Sequence, residues 1–334
     1  MFGTLRVTPP APGPGGRDRR VAMPFHPELA RKLAPLRGVT REDLATDPEA
    51  QRLFAEYVRD PAEWSLPAGV TVEDVTLDGP HGPIPVRTYR TTGTPGRALL
   101  WAHGGGFVFG DLDKPEARVV SAELAARTGA FVVSVGYRLA RDGVRHPVPI
   151  DDVDAAWRWL TGEAAPGVPA ALGGASAGAA LVLATALRAR DRAPDGGSAP
   201  DLLLLAYPFA HYPNPALDDD VAAEMRELPP FTRFHPADVE RMVRAYVGRI
   251  SDVPPDALPG AARLDGLPAT RILLSEYDDL RASGELLERQ LREAGVPVST
   301  YLACGMPHGH LNRTPALDEV DASLGYFAAA LAAG

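Results

Sequence analysis

The chain has 334 residues, 45% hydrophobic and 23% charged, with 34 basic against 43 acidic side chains and a formal charge of −9. Such a chain can bury a large core, in one α/β domain or two small ones. The acidic balance argues against nucleic acid as the main partner. The lone cysteine, Cys304, excludes an intrachain disulfide and a cysteine-rich zinc site. No run of about 18 apolar residues marks a membrane span.

Residues 1–22 are rich in Pro and Gly, lack the apolar segment of a secretory signal, and are expected to form a disordered tail. Residues 24–58 carry apolar side chains at helical spacing, with Asp47 as an N-cap and Pro48 at the first helical position. Residues 70–77 and 84–89 alternate in polarity around Gly79-Pro-His-Gly-Pro, the pattern of a β-hairpin.

From residue 98 short apolar runs alternate with helical segments. Strands are expected at 98–102, 131–135, 170–173, 202–206, 271–274 and 298–302. Between and after them, helices are expected at 116–127, 150–160, 177–188, 285–294 and 317–332. Strands apolar on both faces and separated by helices imply a mostly parallel sheet covered on both sides. Residues 211–256 break this rhythm, with helical patterns at 218–227 and 236–247 and no strand. Together with residues 24–58 they suggest a lid. Its aromatics (Phe54, Tyr57, Trp64, Tyr212, Phe231, Phe234, Tyr246) are expected mainly to pack lid against body.

Two glycine-flanked segments carry chemistry. Gly174-Ala-Ser-Ala-Gly178 lies where a strand should turn sharply into a helix, which lifts Ser176 clear of the sheet at a helix N-terminus. His103-Gly-Gly-Gly-Phe107 follows a strand, and its three bare residues let backbone N–H groups converge on an anion. Neither a P-loop ending nor a dinucleotide-binding spacing is present. A serine nucleophile needs a base and an orienting carboxylate. Of the histidines after Ser176, His211 and His235 fall in the lid, whereas His308 follows a strand and can reach back. Glu276, Asp278 and Asp279 follow another strand end, where open α/β sheets place their sites.

Five segments now stand in order: His103-Gly-Gly-Gly-Phe; Tyr137-Arg-Leu-Ala with His146-Pro-Val-Pro; Gly174-x-Ser-x-Gly; Glu276-Tyr-Asp-Asp-Leu-Arg; and Gly305-Met-Pro-His-Gly. In these the chain resembles the hormone-sensitive-lipase-like family of α/β-hydrolase esterases, from Pro24 to the C-terminus. The resemblance implies an α/β-hydrolase fold: a central, mostly parallel eight-stranded sheet with helices on both faces and a helical cap. It implies a cap formed by residues 23–66 and 208–256, and a catalytic domain formed by 67–207 and 257–334. Carried over residue by residue, Ser176 is the nucleophile, Asp278 the triad acid and His308 the base. The oxyanion hole maps to the N–H groups of Gly105, Gly106 and Ala177. The sequence departs from the family at Ala175 and Ala179 around the nucleophile, at Asp279 and Ala282 after the acid, at Arg141, and at His310.

The implied activity is hydrolysis of small or short-acyl carboxylic esters through an acyl-enzyme, with no metal or organic cofactor. The implied partner is a small-molecule ester, with no nucleic acid and no membrane, in the cytoplasm; the resemblance allows a homodimer. Two alternatives remain beside it. The same apparatus can serve deacetylation, lactone opening or elimination on a specialised natural product. A silent small-molecule binder is the other, and the presence of His308 counts against it. His103 is expected to shape the glycine loop, and His310 to line the pocket or be solvated. His211 and His235 should lie at the surface. Cys304 should end a strand, Glu276 should neighbour the triad acid, and Arg281 should hold a nearby carboxylate.

Overall fold

The structure is a computed structural model and describes residues 25–333. The tail expected over residues 1–22 lies outside the described residues, as do Met23 and Pro24.

Eight strands form one sheet: β1 (Thr71–Leu77), β2 (Ile84–Arg90), β3 (Ala98–Ala102), β4 (Phe131–Val135), β5 (Ala170–Ala175), β6 (Leu202–Ala206), β7 (Ala269–Tyr277) and β8 (Val298–Pro307). Their order is β1-β2-β4-β3-β5-β6-β7-β8. The hairpin β1–β2 and the β2–β4 pair are antiparallel; from β4 onward every pair is parallel. The mostly parallel sheet expected from the apolar runs is therefore present.

Period-two alternation explains those runs. Leu100, Leu172, Leu203 and Leu205 face one core layer, while Leu99, Trp101, Leu202 and Leu204 face the other. The first layer is covered by α5 (Val148–Trp159), α6 (Ala177–Arg192) and α9 (Arg281–Glu293), through Trp157, Leu181 and Leu287 among others. The second is covered by α4 (Pro115–Thr128) and α10 (Asp318–Ala332), through Leu124, Leu324 and Phe327. Each central strand is thus buried on both faces and must be apolar throughout.

Two helical segments stand outside this alternation. The first holds α1 (Pro27–Leu33), α2 (Arg41–Thr46) and α3 (Pro48–Val58). Its helical pattern is interrupted by a 3-10 turn at Ala34–Leu36 and by Gly38 with φ +83°. Asp47 caps α3 as expected, its side chain accepting the Glu49 N–H at 2.9 Å. The second segment holds α7 (Asp219–Met225) and α8 (Pro236–Val247). Phe54 and Tyr57 of α3 meet the Phe231 ring edge-on at 5.7 and 6.0 Å, and Arg41 of α2 donates to the Arg233 carbonyl at 2.7 Å. Tyr246 of α8 stacks flat on Phe107 at 3.9 Å. Those aromatics pack segment against segment or against the body, as expected.

Candidate active site

Ser176 sits between β5 and α6 with φ +53° and ψ −117°, the strained geometry of a sharp strand-to-helix turn. Two features hold the turn. The Ser176 N–H extends the ladder by donating to the Ala206 carbonyl at 2.9 Å. A Cβ on Gly174 would stand 2.6 Å from the Gly178 carbonyl oxygen, and one on Gly178 would run into the Ala102 backbone, so only glycine lets α6 pack this close to β3 and β5.

His308 follows β8 and Asp278 follows β7, neighbouring parallel strands whose C-terminal ends share one side of the sheet. His308 Nε2 lies 2.9 Å from Ser176 Oγ, and His308 Nδ1 lies 2.7 Å from Asp278 Oδ2. A carboxylate can only accept, so Nδ1–H donates to Asp278, and Nε2 accepts from the Ser176 hydroxyl. Asp278 is itself held by the Leu280 N–H, which donates to Oδ1 at 2.8 Å. The rings of Tyr207 and Phe234 meet His308 edge-on at 5.0 and 4.9 Å. The structure thus brings together the three side chains singled out in the sequence.

The glycine loop lies beside them. Gly105 and Gly106 have φ of +129° and +59°, which L side chains rarely adopt. His103 shapes this loop as expected: it is buried, its Nδ1 bonds the Gly104 carbonyl at 2.7 Å, and its ring stacks on Tyr137 at 4.5 Å. Ala177 is the first residue of α6, so its N–H belongs to the unpaired helix end beside Ser176.

One residue at this loop was not legible in the sequence. The Glu116 carboxylate, 1% exposed, accepts the Gly104 N–H at 2.6 Å and the Lys114 ammonium at 3.1 Å on one oxygen. On the other it accepts the Tyr207 hydroxyl at 2.5 Å and the Asn312 amide at 3.2 Å. Burial by itself raises the carboxyl pKa; Lys114 and the hydrogen bonds outweigh it and hold Glu116 below the ordinary carboxylate range. An acid in the first turn of a helix reads as a solvated dipole partner. The one hint in the sequence is that it lies on the same α4 that packs against the sheet.

A cavity of about 560 Å³ opens above Ser176. Gly105, Gly106 and His308 share its floor with the serine; Val108, Phe209, Phe234, Met242, Ala245 and Leu280 make apolar walls. Arg41, Asp238 and Arg241 stand among its polar lining residues. Phe234 thus departs from the simple packing role expected of the lid aromatics.

Other expectations need correction. His310 does not line the cavity and is not solvated: it is 1% exposed, with Nδ1 and Nε2 at 2.9 and 3.1 Å from the Ser275 and Ser323 hydroxyls. Burial, then the charge of His308, pushes its pKa down to about 3. His211 is buried rather than at the surface, between Ser283 Oγ at 2.9 Å and Gln290 Oε1 at 2.8 Å. Cys304 lies inside β8, which runs on to Pro307, rather than at a strand end. His235 is exposed, Glu276 accepts the Gly305 N–H at 2.7 Å, and Arg281 pairs with Glu285 at 2.7 Å, as expected. Asp279 turns away from the histidine and pairs with Arg233.

Among the described residues no group of three or more His, Cys, Asp or Glu side chains could hold a metal ion, and no helix is long and apolar enough to cross a membrane.

Comparison with known proteins agrees with this fold. A family model described as alpha/beta hydrolase fold matches residues 99–312. Esterase LipI of Mycobacterium tuberculosis is 36% identical over 256 residues, covering 72% of this chain and 75% of LipI. The solved hyperthermophilic esterase from the archaeon Pyrobaculum calidifontis superposes with a TM-score of 0.72 at 30% identity, covering 93% of this chain and 98% of that one. A solved esterase of the bacterial hormone-sensitive lipase family superposes with a TM-score of 0.74 at 24% identity, covering 93% and 99%, a likeness of fold. The specialised-substrate and silent-binder alternatives are not favoured by relatives that are themselves named esterases. The chain belongs to the α/β-hydrolase family, and within it to the carboxylesterase-type hydrolases.

Proposed function

We propose that the chain hydrolyses small, short-acyl carboxylic esters with Ser176 as nucleophile, His308 as general base and Asp278 as the orienting acid. The observation that carries this reading is the unbroken hydrogen-bond relay from Asp278 through His308 to Ser176, at 2.7 and 2.9 Å, on the floor of an apolar cavity. His308 takes the Ser176 proton as Oγ attacks the ester carbonyl. Asp278 keeps the imidazole in the working tautomer and stabilises its cation. The carbonyl oxygen, now an alkoxide, rests on the N–H groups of Gly105, Gly106 and Ala177, where each donor is worth about 2.7–4 kcal/mol of barrier. His308 then protonates the departing alcohol, leaving an acyl ester on Ser176. Water, deprotonated by the same imidazole, releases the carboxylic acid and restores the serine.

In this reading residues 23–66 and 208–256 form the cap, and 67–207 with 257–334 form the catalytic domain. The contacts of Arg41, Phe54 and Tyr57 with Phe231 and Arg233 support joining the two helical segments. The cavity's size and apolar walls support a small neutral ester as substrate. A sequence with a single cysteine, Cys304, suits a reducing compartment such as the cytoplasm. The test is hydrolysis of p-nitrophenyl acetate and butyrate by Ser176→Ala. This reading requires loss of turnover by three orders of magnitude or more; undiminished turnover refutes it.

A further inference from the structure

The loop after β7 carries two consecutive aspartates with different partners. Asp278 faces His308. Asp279 faces the 208–256 insertion, and its carboxylate receives Nε and Nη2 of Arg233 at 2.8 Å each. The Phe234 N–H adds a third bond to the same carboxylate at 2.8 Å, and Asn214 Nδ2 donates to the Asp279 carbonyl at 2.9 Å. The two charged side chains are only 13% and 10% exposed. Three residues of one insertion therefore converge on the neighbour of the carboxylate that holds the histidine.

The connection continues through Phe234. Held by its N–H to Asp279, it sets its ring edge against His308 at 4.9 Å and walls the cavity. Arg41 of α2 braces the same point, its guanidinium 5.3 Å from the Phe234 ring and donating to the Arg233 carbonyl at 2.7 Å. His308 is thus bracketed by Asp278 on Nδ1 and by Phe234 on its ring, and both brackets are tied to Asp279. A forked guanidinium fits this task because two parallel bonds fix orientation as well as charge. The fork also neutralises a second carboxylate next to Asp278, which would otherwise compete for the imidazolium.

We propose that Asp279, through its paired bonds to Arg233, is a positioning residue that couples the cap to the base and keeps His308 aligned between Asp278 and Ser176. This rests on the triad reading above. The expected signature is a loss in turnover rather than in binding, because misalignment lowers the fraction of histidines poised to take the serine proton.

The test compares Arg233→Lys, Asp279→Asn, Asp279→Glu and the double variant Arg233→Met/Asp279→Leu with wild type and Ser176→Ala. The readouts are kcat and KM on p-nitrophenyl acetate, thermal midpoint, and the rate of Ser176 phosphonylation. Arg233→Lys keeps the charge and loses the fork, so it folds and should lose roughly tenfold or more in kcat with KM little changed. Asp279→Asn should behave alike, and Asp279→Glu should recover part of the loss. The double variant replaces a buried ion pair by apolar side chains, a change often neutral for stability. It should keep its thermal midpoint while kcat and phosphonylation stay low. Wild-type kcat in Arg233→Lys and Asp279→Asn, with changes only in thermal midpoint or KM, overturns the proposal. If Ser176→Ala is inactive beside such active variants, this inference fails alone; if Ser176→Ala is active, the triad reading fails first.

Discussion

Glu116 and Gly104 are joined by a 2.6 Å hydrogen bond from the glycine N–H to a fully buried carboxylate. A charge on α4 therefore sets the bend that aims the next two glycines at the cavity. Burial without partners would drive this carboxyl to its neutral form; Lys114, Tyr207 and the Gly104 N–H keep it ionised. Replacing it with glutamine leaves one side able to accept, but turns N–H groups toward donors on the other. Glu116→Gln should lower stability by about 1–3 kcal/mol and kcat by roughly tenfold. Denaturant unfolding and steady-state kinetics on p-nitrophenyl acetate check both.

The two loop glycines differ in what surrounds them. A Cβ on Gly105 would collide with the Phe109 backbone, whereas one on Gly106 would meet the Met242 Sδ at 2.7 Å, the movable end of a side chain. Both have positive φ, so both alanine variants are strained. Gly105→Ala should cost at least tenfold more in kcat than Gly106→Ala, since only the second clash can relax without moving the loop. Parallel kinetics of the two variants decide it.

His310 gives a signed pH dependence. Its folded pKa is pushed down to about 3, below the ordinary value of about 6.5, so below pH 6.5 the unfolded chain binds a proton that the folded one refuses. The stabilising contribution is complete above pH 6.5 and is lost as pH falls toward 3. Between pH 6 and 4.5 the wild type should therefore lose about 1.4 kcal/mol per pH unit more than His310→Asn. Chemical denaturation across that range should show the flatter slope in the variant.

Met242 reaches from α8 to the Gly106 backbone and walls the cavity. Trimming it adds apolar space to the cavity that Ser176 lines and leaves Ser176, Asp278 and His308 untouched. Met242→Ala should move the preferred p-nitrophenyl ester toward longer acyl chains, by at least tenfold in the kcat/KM ratio of octanoate to acetate. A chain-length series on both proteins measures it.

These outcomes depend on features of unequal visibility in the sequence. β3, β4 and β6 were legible to the residue, because a strand buried on both faces must be apolar from end to end. β7 and β8 extend past their apolar runs through Ser275 to Tyr277 and Ala303 to Pro307, since their ends carry polar groups to the site. α9 starts at Arg281, four residues before the expected Glu285: Ser283 and Gly284 are poor helix formers, yet both are buried in the core, and that packing overrides their local preference. Ser176, Asp278 and His308 stood out because strand ends and glycine spacing mark them locally. Glu116, and the pairing of Arg233 with Asp279, did not. Apart from Lys114, the partners of Glu116 lie 12 to 196 residues away, and Arg233 and Asp279 are 46 apart; no local pattern records such meetings. His211 and His310 depart from the expected surface and pocket positions for the same reason: hydroxyls and an amide brought in by distant elements let an imidazole be buried neutral.

The most direct measurement is the mass and position of the adduct formed by one equivalent of a p-nitrophenyl alkylphosphonate, followed by peptide mapping and residual activity. A working Ser176–His308–Asp278 relay gives one covalent adduct per chain, on the peptide containing Ser176, with hydrolysis lost in proportion to labelling. An adduct on another residue, or full hydrolysis in a chain labelled completely at Ser176, would contradict it.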